Sequence, residues 1–103
     1  MSRLIEDIGA FLNANGFEYS FQIRHDFDVI CARTLDGMHS RVILPLEISS
    51  GTLEESISDS QRAYEAVRSI RTHEGYPIII PEDRWKRQRP MMEARLLAHM
   101  ELF

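Results

Sequence analysis

The chain has 103 residues, 44% of them hydrophobic, which is sufficient apolar material for the core of one domain spanning residues 1–103. A formal charge of −4 argues against a protein that simply coats nucleic acid, and a single cysteine excludes an internal disulfide framework and fits the reducing cytoplasm. No apolar run approaches the roughly 20 residues that cross a bilayer, and the acidic residues of the first segment exclude a signal peptide.

The sequence opens with a predicted helix that ends at a glycine. Ser2 is a typical helix cap, and NANG at residues 13–16 supplies Gly16 as the stop. The apolar positions between them recur at helical spacing and form one stripe: Leu4, Ile5, Ile8, Phe11 and Leu12. One face of this helix is therefore expected to pack on the rest of the domain.

Three strands are predicted next. In residues 17–23 apolar side chains alternate with polar ones, which is typical of a half-buried strand. Residues 27–33 are rich in apolar and β-branched side chains, and the Asp36-Gly37 pair after them is the strongest hairpin signal in the chain. The third strand lies in RVILPLEISSG, residues 41–51, and ends at SSG. The second and third strands are therefore expected to pair antiparallel.

The second half of the chain predicts a helix, a strand and a final helix. TLEE at residues 52–55 is a capping box that opens a helix reaching about Glu74. PIII at residues 77–80 suits a strand buried on both faces, residues 81–90 form a polar and basic connection, and Pro90 begins the last helix. The αβββαβα order predicts an α/β (α+β) domain with a mixed central sheet flanked by helices.

The last predicted helix, residues 90–103, is apolar on more than one face. Two explanations of this surface stay open. Either a partner, such as a second copy in a homo-oligomer, covers it, or the sequence is the N-terminal part of a longer protein whose downstream domain covers it.

Two carboxylates stand at the ends of apolar strands. Asp28 comes just before the run Val29–Ala32, and Glu47 lies inside an otherwise apolar stretch. A hairpin turning at Asp36-Gly37 has arms of about eight and ten residues to the two acids, so it brings them roughly level on neighbouring strands. Two adjacent carboxylates repel unless a cation or proton lies between them, and Mg²⁺ is held by such a pair plus water. The alternative is two solvated acids at strand ends.

This arrangement resembles the PD-(D/E)xK nuclease-like superfamily, which includes restriction endonucleases and archaeal Holliday-junction resolvases. The resemblance implies a restriction endonuclease-like fold, DNA as substrate and Mg²⁺ as cofactor. It implies that Asp28 and Glu47 are catalytic metal ligands and that Glu6 is a third ligand, which some members supply from the first helix. Gln61 and Tyr64 match a glutamine and a tyrosine that some members carry near the site.

The sequence lacks the lysine that members of this family carry two residues after the glutamate. The position two residues after Glu47 is Ser49, which can hydrogen-bond the attacking water but brings no positive charge. Pro45, on the same face as Glu47, is unusual for a central strand. Hydrolysis of a phosphodiester is therefore expected to be weak or lost. The alternative function is a non-catalytic acidic interaction module that dimerises, or binds a protein partner, through residues 91–103.

The segment DRWKRQR, residues 83–89, combines an aromatic side chain with four basic ones. Basic residues around an aromatic can contact phosphates and stack a base. The residues that would contact nucleic acid are Arg84, Trp85, Lys86, Arg87 and Arg89. The alternative is a solvated loop whose tryptophan packs on the core.

Overall fold

The computed structural model describes residues 3–24, 27–47, 54, 58, 61, 63–65, 68 and 77–102. Several predictions fall outside these residues: the cap at Ser2, the capping box at residues 52–55, the end of its helix near Glu74, and Ser49.

Four strands form one mixed sheet in the order β1-β2-β3-β4. They are β1 (Phe17–Arg24), β2 (Phe27–Thr34), β3 (Ser40–Leu46) and β4 (Ile78–Pro81). The first three strands pair antiparallel as two consecutive hairpins, and β4 pairs parallel with β3. The predicted mixed sheet and the predicted hairpin are both confirmed.

Helices flank the sheet, and one of them was not expected. The helices are α1 (Arg3–Ala14), α2 (Glu82–Arg87) and α3 (Arg89–Met100). The described residues of the 54–68 segment are also helical. The prediction of a connecting loop over residues 81–90 is wrong, because α2 occupies most of it and α3 begins one residue before Pro90. Within the described residues no helix is long and apolar enough to span a membrane.

The two faces of the sheet carry separate apolar clusters. On one face, which we call the α1 face, strand residues such as Ile30 and Ile43 pack with the buried side chains of α1, α2 and α3. On the opposite face, Val29 and Val42 pack with Ala63 of the 54–68 segment. Because side chains alternate along a strand, neighbouring residues of β2 and β3 belong to different clusters.

Strand β4 contributes to both clusters, although it is less buried than expected. Ile80 is 1% exposed and belongs to the cluster of the α1 face, and Ile78 is half-buried beside it. Ile79 is half-buried against the other cluster. The strand therefore has apolar contacts on both sides, but only Ile80 is completely enclosed.

Two glycines with positive φ mark the ends of elements, as the sequence predicts. Gly16 (φ 86°) lies between α1 and β1, and Gly37 (φ 72°) lies in the β2–β3 hairpin. Asp36 organises this hairpin by accepting hydrogen bonds from the Thr34 hydroxyl and from the Met38 backbone N–H at 3.0 Å. The Thr34 hydrogen bond, followed by the Met38 bond, holds the pKa of Asp36 below its ordinary value.

Candidate functional site

Asp28 and Glu47 lie at the same end of the sheet. Asp28 is the second residue of β2, half-buried and paired with Ile23 of β1, and Glu47 directly follows β3 and is exposed. Because β2 and β3 are antiparallel, the start of one strand and the end of the other are neighbours. The two acids therefore come from adjacent strands, as the hairpin predicts.

The register defines how nearly level the two acids are. The pairing of β2 with β3 ends at Ile30 and Ile43, two residues from Asp28 and four from Glu47. If the same register continued beyond this point, Pro45 would be level with Asp28. Glu47 lies two residues further along. Alternation puts Asp28 on the α1 face, with Ile30. Glu47 is outside the strand, so alternation does not fix the direction of its side chain, and the shared cation stays a prediction.

Glu6 does not join the two strand acids. It is an exposed residue in the first turn of α1, where a negative charge is favoured by the helix dipole. Among the residues that the structure describes, no three His, Cys, Asp or Glu side chains are close enough to hold a metal ion together. The implied three-carboxylate set of Asp28, Glu47 and Glu6 is therefore not formed, which leaves the two-carboxylate site.

Gln61 and Tyr64 lie on the other side of the sheet from Asp28. Both side chains are exposed on the 54–68 segment, and Ala63 of this segment packs on the face opposite to α1. The structure therefore does not bring them together with Asp28 on the α1 face.

Trp85 is a core residue. It is 2% exposed, its indole Nε1 donates a hydrogen bond to Asp7 Oδ2 at 2.8 Å, and its ring meets Phe11 edge-on at a centroid distance of 6.1 Å. An enclosed indole offers no face to a base, so the prediction that Trp85 stacks a base is wrong. The alternative interpretation, a tryptophan packed on the core, is confirmed.

Arg89 also serves the packing of α1 against α3. It forms an ion pair with Asp7 (2.9 Å) and another with Glu93 (2.6 Å), and its guanidinium lies 5.5 Å from the centre of the Trp85 ring. The hydrogen bond with Glu93 raises the pKa of Arg89. Its charge is therefore partly compensated within the protein, which weakens the case for a phosphate contact.

The other basic residues of α2 differ among themselves. Lys86 forms an ion pair with Glu82 (2.9 Å), which raises the lysine pKa, and Arg87 Nε donates to the carbonyl oxygen of Asp83 at 3.4 Å. Arg84 is exposed and lines a cleft between α3 and β4. Of the basic residues predicted to contact nucleic acid, Arg84 is therefore the one with the clearest access to a ligand.

The sequence did not point to three further residues of this cleft, two arginines and a histidine. Arg41, Arg95 and His99 line it together with Arg84. The spacing of Arg95 and His99, four residues apart on one helix, was the only local signal that the two share a face. Arg41 and Arg84 come from distant positions of the chain, and only the fold brings them to the same cleft.

Comparisons of the chain with models of protein families, with curated proteins and with solved structures found no match.

Proposed function

We propose that this domain is nuclease-like and binds DNA through a divalent cation held by Asp28 and Glu47, with weak or lost phosphodiester hydrolysis. One observation carries the proposal. In an αβββαβα domain, the two acids stand at the same end of adjacent antiparallel strands. This placement supports a cation shared by the two acids.

The donor set suits a hard cation such as Mg²⁺. Such an ion takes one or two protein carboxylates and completes its shell with water and phosphate oxygens. When bound, it neutralises charge on the phosphate and makes a coordinated water more acidic. Asp28 is held by its pairing with Ile23, and Glu47 follows the buried Leu46, so the backbone that would present each acid to an ion is anchored.

The sequence at the third motif position explains why hydrolysis would be weak. Ser49 is neutral, so it can orient a water but cannot stabilise a hydroxide or the charge that develops on phosphorus. We expect the domain to bind DNA better than it cleaves it.

Calorimetric titration with Mg²⁺ and Mn²⁺ tests the cation site. We expect binding heat for the unmodified protein and none for Glu47→Ala. Glu18→Ala is the matched control, because Glu18 is exposed and lies near the opposite end of the same sheet, paired with Arg33. Equal heats for all three proteins would contradict the assignment.

DNA binding is tested by fluorescence anisotropy with labelled duplex and branched DNA. We expect affinity to be higher with Mn²⁺ than with EDTA, and Glu47→Ala to remove that difference. Binding that is equally strong in EDTA would show that the carboxylates are not the means of DNA contact.

A further inference from the structure

A cleft of about 440 Å³ lies between β4 and α3, apart from the two strand acids. Residues 77–81 form its strand side, and Met92, Arg95, Leu96 and His99 form its helix side. Sites for small ligands commonly enclose roughly 300–1,000 Å³, so this cleft has the size of one.

Among the described residues that line the cleft, the charged ones are arginines. They are Arg41, Arg84 and Arg95, with His99 beside them, and no aspartate or glutamate of the described ranges takes part. This is unusual in a chain with 16 acidic and 12 basic residues. The cations come from β3, α2 and α3, so the cleft concentrates positive charge that is spread along the sequence.

Within the described ranges, Arg84 and Arg95 have no carboxylate partner, as is also true of Arg87. By contrast, Arg33 is paired with Glu18, Lys86 with Glu82, and Arg89 with both Asp7 and Glu93. Guanidinium groups without a carboxylate partner can bind the oxygens of an incoming phosphate or carboxylate, often by two parallel hydrogen bonds.

The other described residues of the lining are apolar. Ile80, Met92 and Leu96 are almost completely enclosed, and the side chains that offer surface to a ligand include the half-buried Ile78 and the exposed Leu102. An inorganic anion would gain nothing from these side chains. An anion with an apolar group would bury that group against them. The cations and the apolar wall therefore select together for an amphiphilic anion.

We propose that this cleft binds a small organic oxyanion, a phosphate or a carboxylate, whose apolar body lies against Ile78 and Leu102 and whose charge is held by Arg84 and Arg95. The site is independent of the cation site proposed above. The side chains proposed to hold its ligand lie on α2, on β4 and on α3 and the residues after it, and the site needs no metal.

Amide-detected NMR titrations test the site with four probes: phenyl phosphate, benzoate, inorganic phosphate and benzyl alcohol. We expect phenyl phosphate to bind about tenfold more tightly than inorganic phosphate, because only the former buries an apolar group. We expect shifts at the amides of Arg95 and His99. The comparison of phenyl phosphate with benzoate shows which oxyanion the arginines prefer, and benzyl alcohol, which lacks the charge, should bind most weakly.

Variants separate the contribution of the charged residues of the cleft from that of its apolar residues. Arg95→Gln should weaken phenyl phosphate binding by roughly fivefold, the order expected for an exposed charge-assisted contact. Ile78→Ala should weaken phenyl phosphate but leave inorganic phosphate unchanged. Arg33→Gln is the control, since it removes the same charge from an exposed site on another strand.

Two results would overturn the proposal. One is equal affinity for phenyl phosphate and inorganic phosphate, which would show that surface charge alone attracts the ligand. The other is equal weakening by Arg95→Gln and Arg33→Gln. Glu47→Ala should leave phenyl phosphate affinity unchanged, so failure of the cation site and failure of the cleft can be distinguished.

Discussion

A single hydrogen bond, from Trp85 to Asp7, connects parts of the chain that are 78 residues apart. Asp7 also pairs with Arg89, whose guanidinium lies over the Trp85 ring. These three side chains belong to α1, α2 and α3, so one carboxylate joins all three helices on that face of the sheet. Asp7 is therefore expected to be more important for stability than its partial exposure suggests.

Replacing Asp7 with alanine should lower the free energy of unfolding by about 1–2 kcal/mol, because the buried indole N–H loses its acceptor. Asp7→Asn should cost less, since an amide oxygen can still accept that hydrogen bond. Urea denaturation measures both. Glu6→Ala, the neighbouring acid that is exposed on the same helix, should stay within about 0.5 kcal/mol of the unmodified protein. Equal losses for Asp7→Ala and Glu6→Ala would contradict this role.

The place of Trp85 could not be predicted from its neighbours. It is the one large apolar side chain in a segment of seven residues that is otherwise polar, so local periodicity supplies no buried face. The same composition is compatible with a base-stacking loop and with a short helix anchored by one residue. Contacts with Asp7 and Phe11, both on the first helix, decide between these possibilities.

At the level of secondary structure, the end of α1 depends on a backbone conformation that favours glycine. Gly16 has φ 86°, in the left-handed region, and nothing lies within 4 Å of the position that a Cβ would take. The penalty for a side chain there is therefore conformational and not steric against neighbours. Gly16→Ala should destabilise the protein by about 1 kcal/mol.

Asparagine at the same position provides the control for that prediction. Because asparagine tolerates the left-handed region better than alanine, Gly16→Asn should recover part of the lost stability. Thermal and urea denaturation of both variants measure the difference. If alanine and asparagine were equally harmless, the helix would not end through this conformation.

The strands were predictable because their patterns are local. Alternation over residues 17–23 and the apolar run over residues 27–33 locate β1 and β2 to within one residue of their observed ends. By contrast, α2 has six residues and a single buried side chain, so it lacks a helical stripe. The half-exposure of β4 was also missed, because burial depends on which strands and helices lie beside it.

For the whole molecule, the missing motif lysine leads to a prediction about activity. We expect no robust cleavage of plasmid or branched DNA with Mg²⁺, because a positioned catalytic group typically contributes about 10²–10⁴-fold. Ser49→Lys should raise any residual cleavage, and a second change, Asp28→Ala, should abolish that gain. Fast cleavage by the unmodified protein, lost in Asp28→Ala, would show that the site is complete without the lysine.

The sequence could predict the two acids but not the cleft. Asp28 and Glu47 are related through one hairpin, whose turn and arms can be read locally. The cations of the cleft come from β3, α2 and α3, and nothing in their spacing relates Arg41 to Arg84. Glu6 was wrongly grouped with the strand acids, because a helix position alone does not define which side chain points towards a neighbouring sheet.

Paramagnetic broadening by Mn²⁺ tests the central claim most directly, because it locates the ion on the protein. At substoichiometric Mn²⁺ we predict that the amide signals of residues 27–30 and 44–47 broaden first. Asp36 is an internal control, since it is an exposed acid in the hairpin turn at the opposite end of the same two strands. Broadening centred on Asp36, or an unchanged pattern in Glu47→Ala, would contradict a cation site formed by Asp28 and Glu47.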